Sequence, residues 1–132
     1  MSENVGNSDF VNSYGNSSGF GKDSMVPEEI ANRFNWGAFF LNWIWGIGNK
    51  VYFALFALLF AFIPFLGGIV CLGFSIWLGF VGNKLAWQNK QWESLEEFER
   101  IQKIWTNVGL ILFFTCIILS IIIPTSITIH SR

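Results

Sequence analysis

A chain of 132 residues that is 52% hydrophobic and 18% aromatic, with only 13% charged residues and a formal net charge of −1, has room for one domain of membrane-protein composition. No basic patch interleaved with aromatics occurs, so nothing argues for a nucleic-acid partner. Residues 51–83 and 108–129 carry no Asp, Glu, Lys or Arg at all, and a polar surface for a soluble domain cannot be drawn from them.

Residues 1–24 are rich in Ser, Asn and Gly and are expected to form a disordered polar tail, too poor in apolar surface to offset the entropy of ordering. They lack a basic start followed by an apolar stretch, so no cleavable signal peptide is expected. A helical membrane domain is expected over 27–129. Pro27, followed by Glu28 and Glu29, suits a helix start.

The next stretch, FNWGAFFLNWIWGIGNK at 34–50, returns an asparagine at Asn35, Asn42 and Asn49 among tryptophans and phenylalanines. Glycines at 37, 46 and 48 weaken it as a span, so 27–47 reads as one or more interfacial helices. The asparagines would face headgroups, water or a neighbouring polar helix, and Phe39, Phe40 and Trp43 would enter the acyl boundary.

Pro64, Gly67 and Gly68 interrupt the first long apolar run, which predicts a tight helical hairpin with arms at 50–66 and 68–87. Small residues recur at helical spacing on both arms: Ala54, Ala57 and Ala61, then Gly68, Cys71, Ser75, Gly79, Gly82 and Ala86. Such stripes let helices approach closely in lipid, so these residues are expected to pack arm against arm, with Leu78 off the stripe. Each arm is near the lower limit for crossing the bilayer, so full crossing and a re-entrant hairpin both stay open. Gly48-Asn49-Lys50 and Gly82-Asn83-Lys84 mark the hairpin's two ends at one depth.

Ser94 and Glu97 form a capping box, after which Leu95, Phe98, Ile101 and Trp105 predict an amphipathic helix over 94–105. Glu96 with Arg100, and Glu99 with Lys103, have the spacing of surface ion pairs. A third span is expected over 107–128, with Gly109, Cys116 and Ser120 on one face. Cys71 and Cys116 read as packing residues, and His130 has no neighbour in sequence that would make it a metal ligand.

All but one of the 8 Lys and Arg lie on the side where the hairpin begins and ends, the exception being Arg132. The positive-inside rule then predicts a cytoplasmic N-terminus and an outside C-terminus. Trp36, Trp43, Trp45, Trp87, Trp92 and Trp105 cluster at the same boundary and are expected to act as interfacial anchors.

Taken together, FNWGAFFLNWIWGIGNK and GNKLAWQNKQWESLEEFERIQKIW resemble a family of small bacterial membrane proteins of unknown function. Asn35, Trp36, Ala38, Phe39, Gly82, Asn83, Ala86 and Trp87 carry the resemblance, which covers roughly residues 33–114. Some relatives carry an N-terminal zinc ribbon, whereas this chain has no cysteine before Cys71. The resemblance implies a bacterial inner (cytoplasmic) membrane and brings no catalytic residue with it.

The expected fold is thus an all-α membrane protein. No catalytic or cofactor constellation is visible, so a non-enzymatic scaffold or accessory subunit is the first functional expectation, its partners the lipid bilayer and another protein or a second copy. A transport or channel-forming homo-oligomer, or protection against a membrane-active agent, are the alternatives.

Overall fold

The computed structural model describes residues 16–130, and the side chains of Asp23, Ala61 and residues 124–130 fall outside that description. The expectations placed on residues 1–15 of the tail, on the stripe residue Ala61 and on the His130 imidazole therefore lie outside the described residues. Within them every element is helical: α1 (Glu28–Ala31), α2 (Trp36–Leu41), α3 (Trp43–Gly48), α4 (Phe56–Ala61), α5 (Leu66–Asn89) and α6 (Leu95–His130), with 3-10 turns at Gly21–Asp23 and Tyr52–Leu55. Helices α5 and α6 are both long and apolar enough to cross a membrane.

The stretch expected to lie at the interface is three short helices. Asn35 caps α2 by accepting the Ala38 N–H at 2.9 Å, and α2 ends where Asn42 takes φ 43° and ψ −104°. That backbone geometry, more usual for glycine, reverses the chain, so that α3 runs back alongside α2.

Helix α2 is a wedge between α5 and α6. A Cβ on Gly82 of α5 would stand 2.9 Å from the Ala38 Cβ, and one on Gly37 of α2 would stand 2.7 Å from the Trp105 Cβ of α6. Close approach on both faces is possible because a glycine sits at each crossing.

The first hairpin arm differs from expectation. In place of one helix over 50–66 there is the 3-10 turn Tyr52–Leu55, then α4, then a tight reversal in which the Leu66 N–H donates to Pro64 O at 2.8 Å. Phe65, at φ 64° and ψ −50°, is the centre of this positive-φ γ-turn, and its ring is 99% exposed.

The amphipathic segment and the third span are one helix, α6, of 36 residues and roughly 54 Å at 1.5 Å per residue. Ser94 Oγ accepts the Glu97 N–H at 3.1 Å, and the Glu97 carboxylate reaches back to the Glu93 N–H at 2.8 Å. Nothing between 105 and 108 breaks the helix, and Gly109 fits beneath Phe40. Farther along, Thr115 and Ser120 donate their hydroxyls to the carbonyls of Ile111 and Cys116, at 2.7 Å each, so both hydroxyl protons are paired on this exposed apolar surface. Every residue from 111 to 123 is exposed.

Residues 16–24, assigned from sequence to the disordered tail, are held against the α5–α6 connection. The Trp92 N–H donates to Ser18 Oγ at 2.7 Å, the Gly19 N–H donates to Trp87 O at 2.8 Å, and the Trp87 indole donates to Met25 O at 3.1 Å. The Asn16 amide also donates to Trp92 O. The extended connection offers backbone groups with no helical partner, and the polar strap satisfies them. Polarity in this segment therefore supports order.

Candidate functional site

Four amide side chains meet where α2, α3, α5 and α6 converge. The Trp45 indole donates to Gln102 Oε1 at 2.8 Å, and because an indole can only donate, this bond fixes the orientation of the Gln102 amide. Gln102 Nε2 then donates to Asn49 Oδ1 at 2.7 Å, and Asn49 Nδ2 donates to Trp45 O at 2.9 Å. On the other side Asn35 Nδ2 donates to Gln102 Oε1 at 3.0 Å and to Asn83 Oδ1 at 2.7 Å. Asn83 Nδ2 in turn donates to the carbonyls of Ile30, at 3.0 Å, and Arg33, at 2.9 Å.

The network is neutral and closed, and each of the four amides is buried. A satisfied network of this kind specifies one register, since any slip leaves donors without acceptors in an apolar surround. It also ties both ends of the α2–α3 reversal to one side chain, because Asn35 and Asn49 both bond to Gln102. The heptad asparagines of the opening stretch thus mark the two ends and the apex of a helical reversal, with Asn42 at the apex.

Among the small residues, Ala54, Ala57 and Ala86 are buried, as are Gly79 and Gly82, while Gly68 is exposed with open space around it. Cys71 and Ser75 are partly buried, the Cys71 thiol lying 3.7 Å from Ala57 O. The expected arm-to-arm stripe is corrected at the end nearer Asn83. Gly79 lies under the Phe34 ring, and Gly82 faces Ala38, Asn35 and Trp45. Ala54 packs on Gly46 and Val51 of the preceding reversal. Leu78, expected off the stripe, is fully buried. The α2 wedge takes the place on α5 that the first arm was expected to fill.

The tryptophans divide in the same way. Trp36 and Trp43 are exposed, and Trp105 is half-buried against Gly37 and Gly48. Trp45, Trp87 and Trp92 are core residues, not anchors: Trp87 and Trp92 pack edge-on to Phe98, with ring centroids 5.6 and 5.0 Å away. Their indole N–H groups are used internally, Trp92 donating to Ala86 O at 3.0 Å. The Glu99 carboxylate, expected to pair with Lys103, meets Arg33 at 2.8 Å and ties the α1–α2 connection to α6.

Gln102 and Phe34 were not singled out from sequence. A signal existed for Gln102, which stands four residues after Phe98 and three before Trp105 on the apolar side of its helix. Beside the network, the Asn42 apex faces a cleft between the α4–α5 hairpin and α6. Among the described residues no three His, Cys, Asp or Glu side chains come together as a metal-ligand group. Compared with known protein families, curated proteins and solved structures, the chain matches none.

Proposed function

We propose that the chain is an integral protein of the bacterial inner membrane that serves as a scaffold or accessory subunit of a membrane complex. One observation carries this reading: an internally satisfied polar body at one end of the molecule holds out an exposed apolar face, residues 111–120 of α6. In a bilayer that face contacts lipid or another membrane helix. The polar body carries Arg33, Lys50, Lys84, Arg100 and Lys103, so it lies at the cytoplasmic boundary and the C-terminal end of α6 lies outside. The resemblance to small bacterial membrane proteins supports the same compartment.

In this placement the α4–α5 hairpin is re-entrant. Helix α5 as a whole is long enough to cross, but its charge-free part from Leu66 to Asn83 rises roughly 25 Å, short of the roughly 30 Å hydrocarbon core, and the exposed Phe65 ring lodges at the hairpin tip in the far leaflet. α6 alone then crosses completely.

The scaffold role is tested by gentle detergent extraction at native expression, followed by sizing under native conditions. A discrete assembly that contains the chain with another membrane protein is expected. Recovery of only the lone 15.0 kDa chain overturns the scaffold role and leaves the membrane placement to be judged by topology labelling.

A further inference from the structure

Between the α1–α2 connection and α6 lies a cleft of about 360 Å³, within the roughly 300–1,000 Å³ typical of small-molecule sites. Arg33, Glu99, Lys103 and Thr106 stand around it, with Ile30 and Phe34 as apolar wall. The Glu99 carboxylate is taken by Arg33 at 2.8 Å, and Lys103 makes no ion pair among the described residues. Two cations against one carboxylate leave the lining one positive charge in excess.

Thr106 adds an unused donor. Ser75, Thr115 and Ser120 each return the hydroxyl proton to the carbonyl four residues back in their own helix, the usual resting place of a helical hydroxyl. Thr106 does not, and its half-buried side chain, three residues on from Lys103, has no hydrogen-bond partner among the described residues. Among those residues Asn42 Oδ1 is the one enclosed polar side-chain atom left unpaired, so the Thr106 hydroxyl is reachable from outside. A solvated ion pair accounts for Arg33 and Glu99. It leaves unexplained a free ammonium and a free hydroxyl beside the remaining guanidinium N–H groups, a donor set suited to the oxygens of a phosphate.

An aromatic path leaves the cleft. Phe34, on its wall, meets the Trp36 ring at 4.7 Å, Trp36 stacks on Phe40 at 5.9 Å, and Phe40 meets Phe113 at 5.1 Å, centroid to centroid. Phe113 is two helical turns, about 10 Å, beyond Thr106 on the same face of α6, and both Trp36 and Phe113 are exposed. Charge at one end and open aromatic surface at the other fit an amphiphile lying along α2 and α6.

We propose that this cleft holds the phosphodiester headgroup of a singly anionic phospholipid, whose phosphate oxygens accept from Arg33, Lys103 and Thr106 while an acyl chain runs along Trp36, Phe40 and Phe113. A zwitterionic lipid brings its own cation to a lining that already has one in excess, and inorganic phosphate leaves the aromatic path uncovered. The inference uses the membrane placement above, which puts Arg33 and Lys103 at headgroup depth, and is independent of the scaffold role.

The test uses the purified full chain in nonionic detergent micelles, titrated with phosphatidylglycerol that carries a diazirine on one acyl chain, alongside phosphatidylcholine with the same chain. Phosphatidylglycerol is expected to label Trp36, Phe40 or Phe113 with half-saturation at a mole fraction roughly tenfold lower than phosphatidylcholine, as hydrogen bonds to a charged group predict. Thr106→Val and Lys103→Gln are each expected to raise that mole fraction roughly five- to tenfold. Lys84→Gln, the same charge change on an exposed lysine outside the cleft, is expected to leave it at the wild-type value. The two cleft variants alter accessible groups outside the amide network and are expected to melt with the wild type, so either decides the matter should the other misfold. Inorganic phosphate is expected to displace no more probe than sodium chloride at the same ionic strength. Equal half-saturation by the two lipids, equal effects of Lys84→Gln and Lys103→Gln, or wild-type binding by Thr106→Val each overturns the proposal. Displacement by phosphate beyond the chloride control assigns the cleft to a soluble phosphate and overturns the lipid. None of these readouts depends on the orientation in the membrane or on a protein partner, so the failure of either is read separately.

Discussion

Asn35 and Gln102, 67 positions apart in the chain, share a buried hydrogen bond of 3.0 Å, and through Gln102 the start of α2 is joined to the end of α3. Gln102 is the hub because both its amide ends are engaged. Replacing it with leucine keeps much of its bulk but strands one Asn35 proton, the Trp45 indole N–H and Asn49 Oδ1. At about 1–3 kcal/mol for each orphaned group, Gln102→Leu should be among the most destabilising single changes in the chain. Thermal unfolding in detergent, followed by tryptophan fluorescence, measures it against the exposed control Glu96→Gln. A melting temperature equal to that of the control would show that the network does not stabilise the fold.

The partner of Gly79 can be identified by compensation. Gly79→Leu drives a side chain into the Phe34 ring, and overpacking of this kind typically costs about 1–3 kcal/mol. Phe34→Ala should relieve much of that loss in the double variant, whereas Ala57→Gly should relieve none. Leu78→Ala, at a fully buried position, should cost about 2–5 kcal/mol through the cavity it leaves. Rescue by Ala57→Gly in place of Phe34→Ala would restore the arm-to-arm stripe.

The helical class and the two long apolar helices were legible because charge-free runs and helical spacing are properties of single segments. The small-residue stripe of α5 was legible too, but its partner was not. Spacing shows that Gly79 and Gly82 share a face; it cannot show that Phe34 and Ala38 fill it, since the α2 wedge arrives from another part of the chain. The asparagine heptad hid for a related reason. Polarity among aromatics leaves water, headgroups and a neighbouring polar helix open; Asn35 and Asn49 meet the last of these, and only the second polar set, Asn83 and Gln102 brought in by α5 and α6, makes burial favourable. Trp45, Trp87 and Trp92 were misplaced because an indole suits an interface and a hydrogen-bonded core equally well.

The strap over the α5–α6 connection gives a local readout. Ser18 Oγ accepts the Trp92 N–H and also donates to Trp92 O, at 3.3 Å, so Ser18→Val removes the acceptor of the Trp92 N–H and one of the two donors to its carbonyl, the Asn16 amide being the other. A loss of about 1–3 kcal/mol is expected, concentrated at the connection. Hydrogen exchange should show the Trp92 amide opening faster while amides in the middle of α5 change little. Unchanged protection at Trp92 would mean that water serves it as well as the strap does.

Topology is read with single cysteines in a background carrying Cys71→Ala and Cys116→Ala. Cysteines at Ser13 and Glu97 should be shielded from an impermeant thiol reagent in intact cells, and one at Ser131 should be labelled, following the Lys and Arg distribution. Labelling at Glu97 with protection at Ser131 would invert the protein in the membrane.

The continuity of α6 has a sharper test where the two expected segments meet. If 94–105 and 107–128 were separate helices, a proline at 107 would fall in or beside a joint, where its missing N–H and fixed φ are tolerated. In an unbroken α6 the same residue loses the bond to the Lys103 carbonyl and its ring meets that carbonyl, at a cost of about 3 kcal/mol or more. Asn107 is exposed, so the substitution removes no buried contact of its own and the backbone effect is isolated. Asn107→Pro should therefore destabilise the fold by several times as much as Asn107→Ala, measured by thermal unfolding in detergent. The damage should be felt on both sides of the kink, because Gln102 anchors α6 in the amide network one turn before residue 107, and Gly109 seats it against Phe40 just after. A proline variant as stable as the alanine variant would show that α6 is jointed, and the apolar face at 111–120 would then no longer be held in place by the polar body.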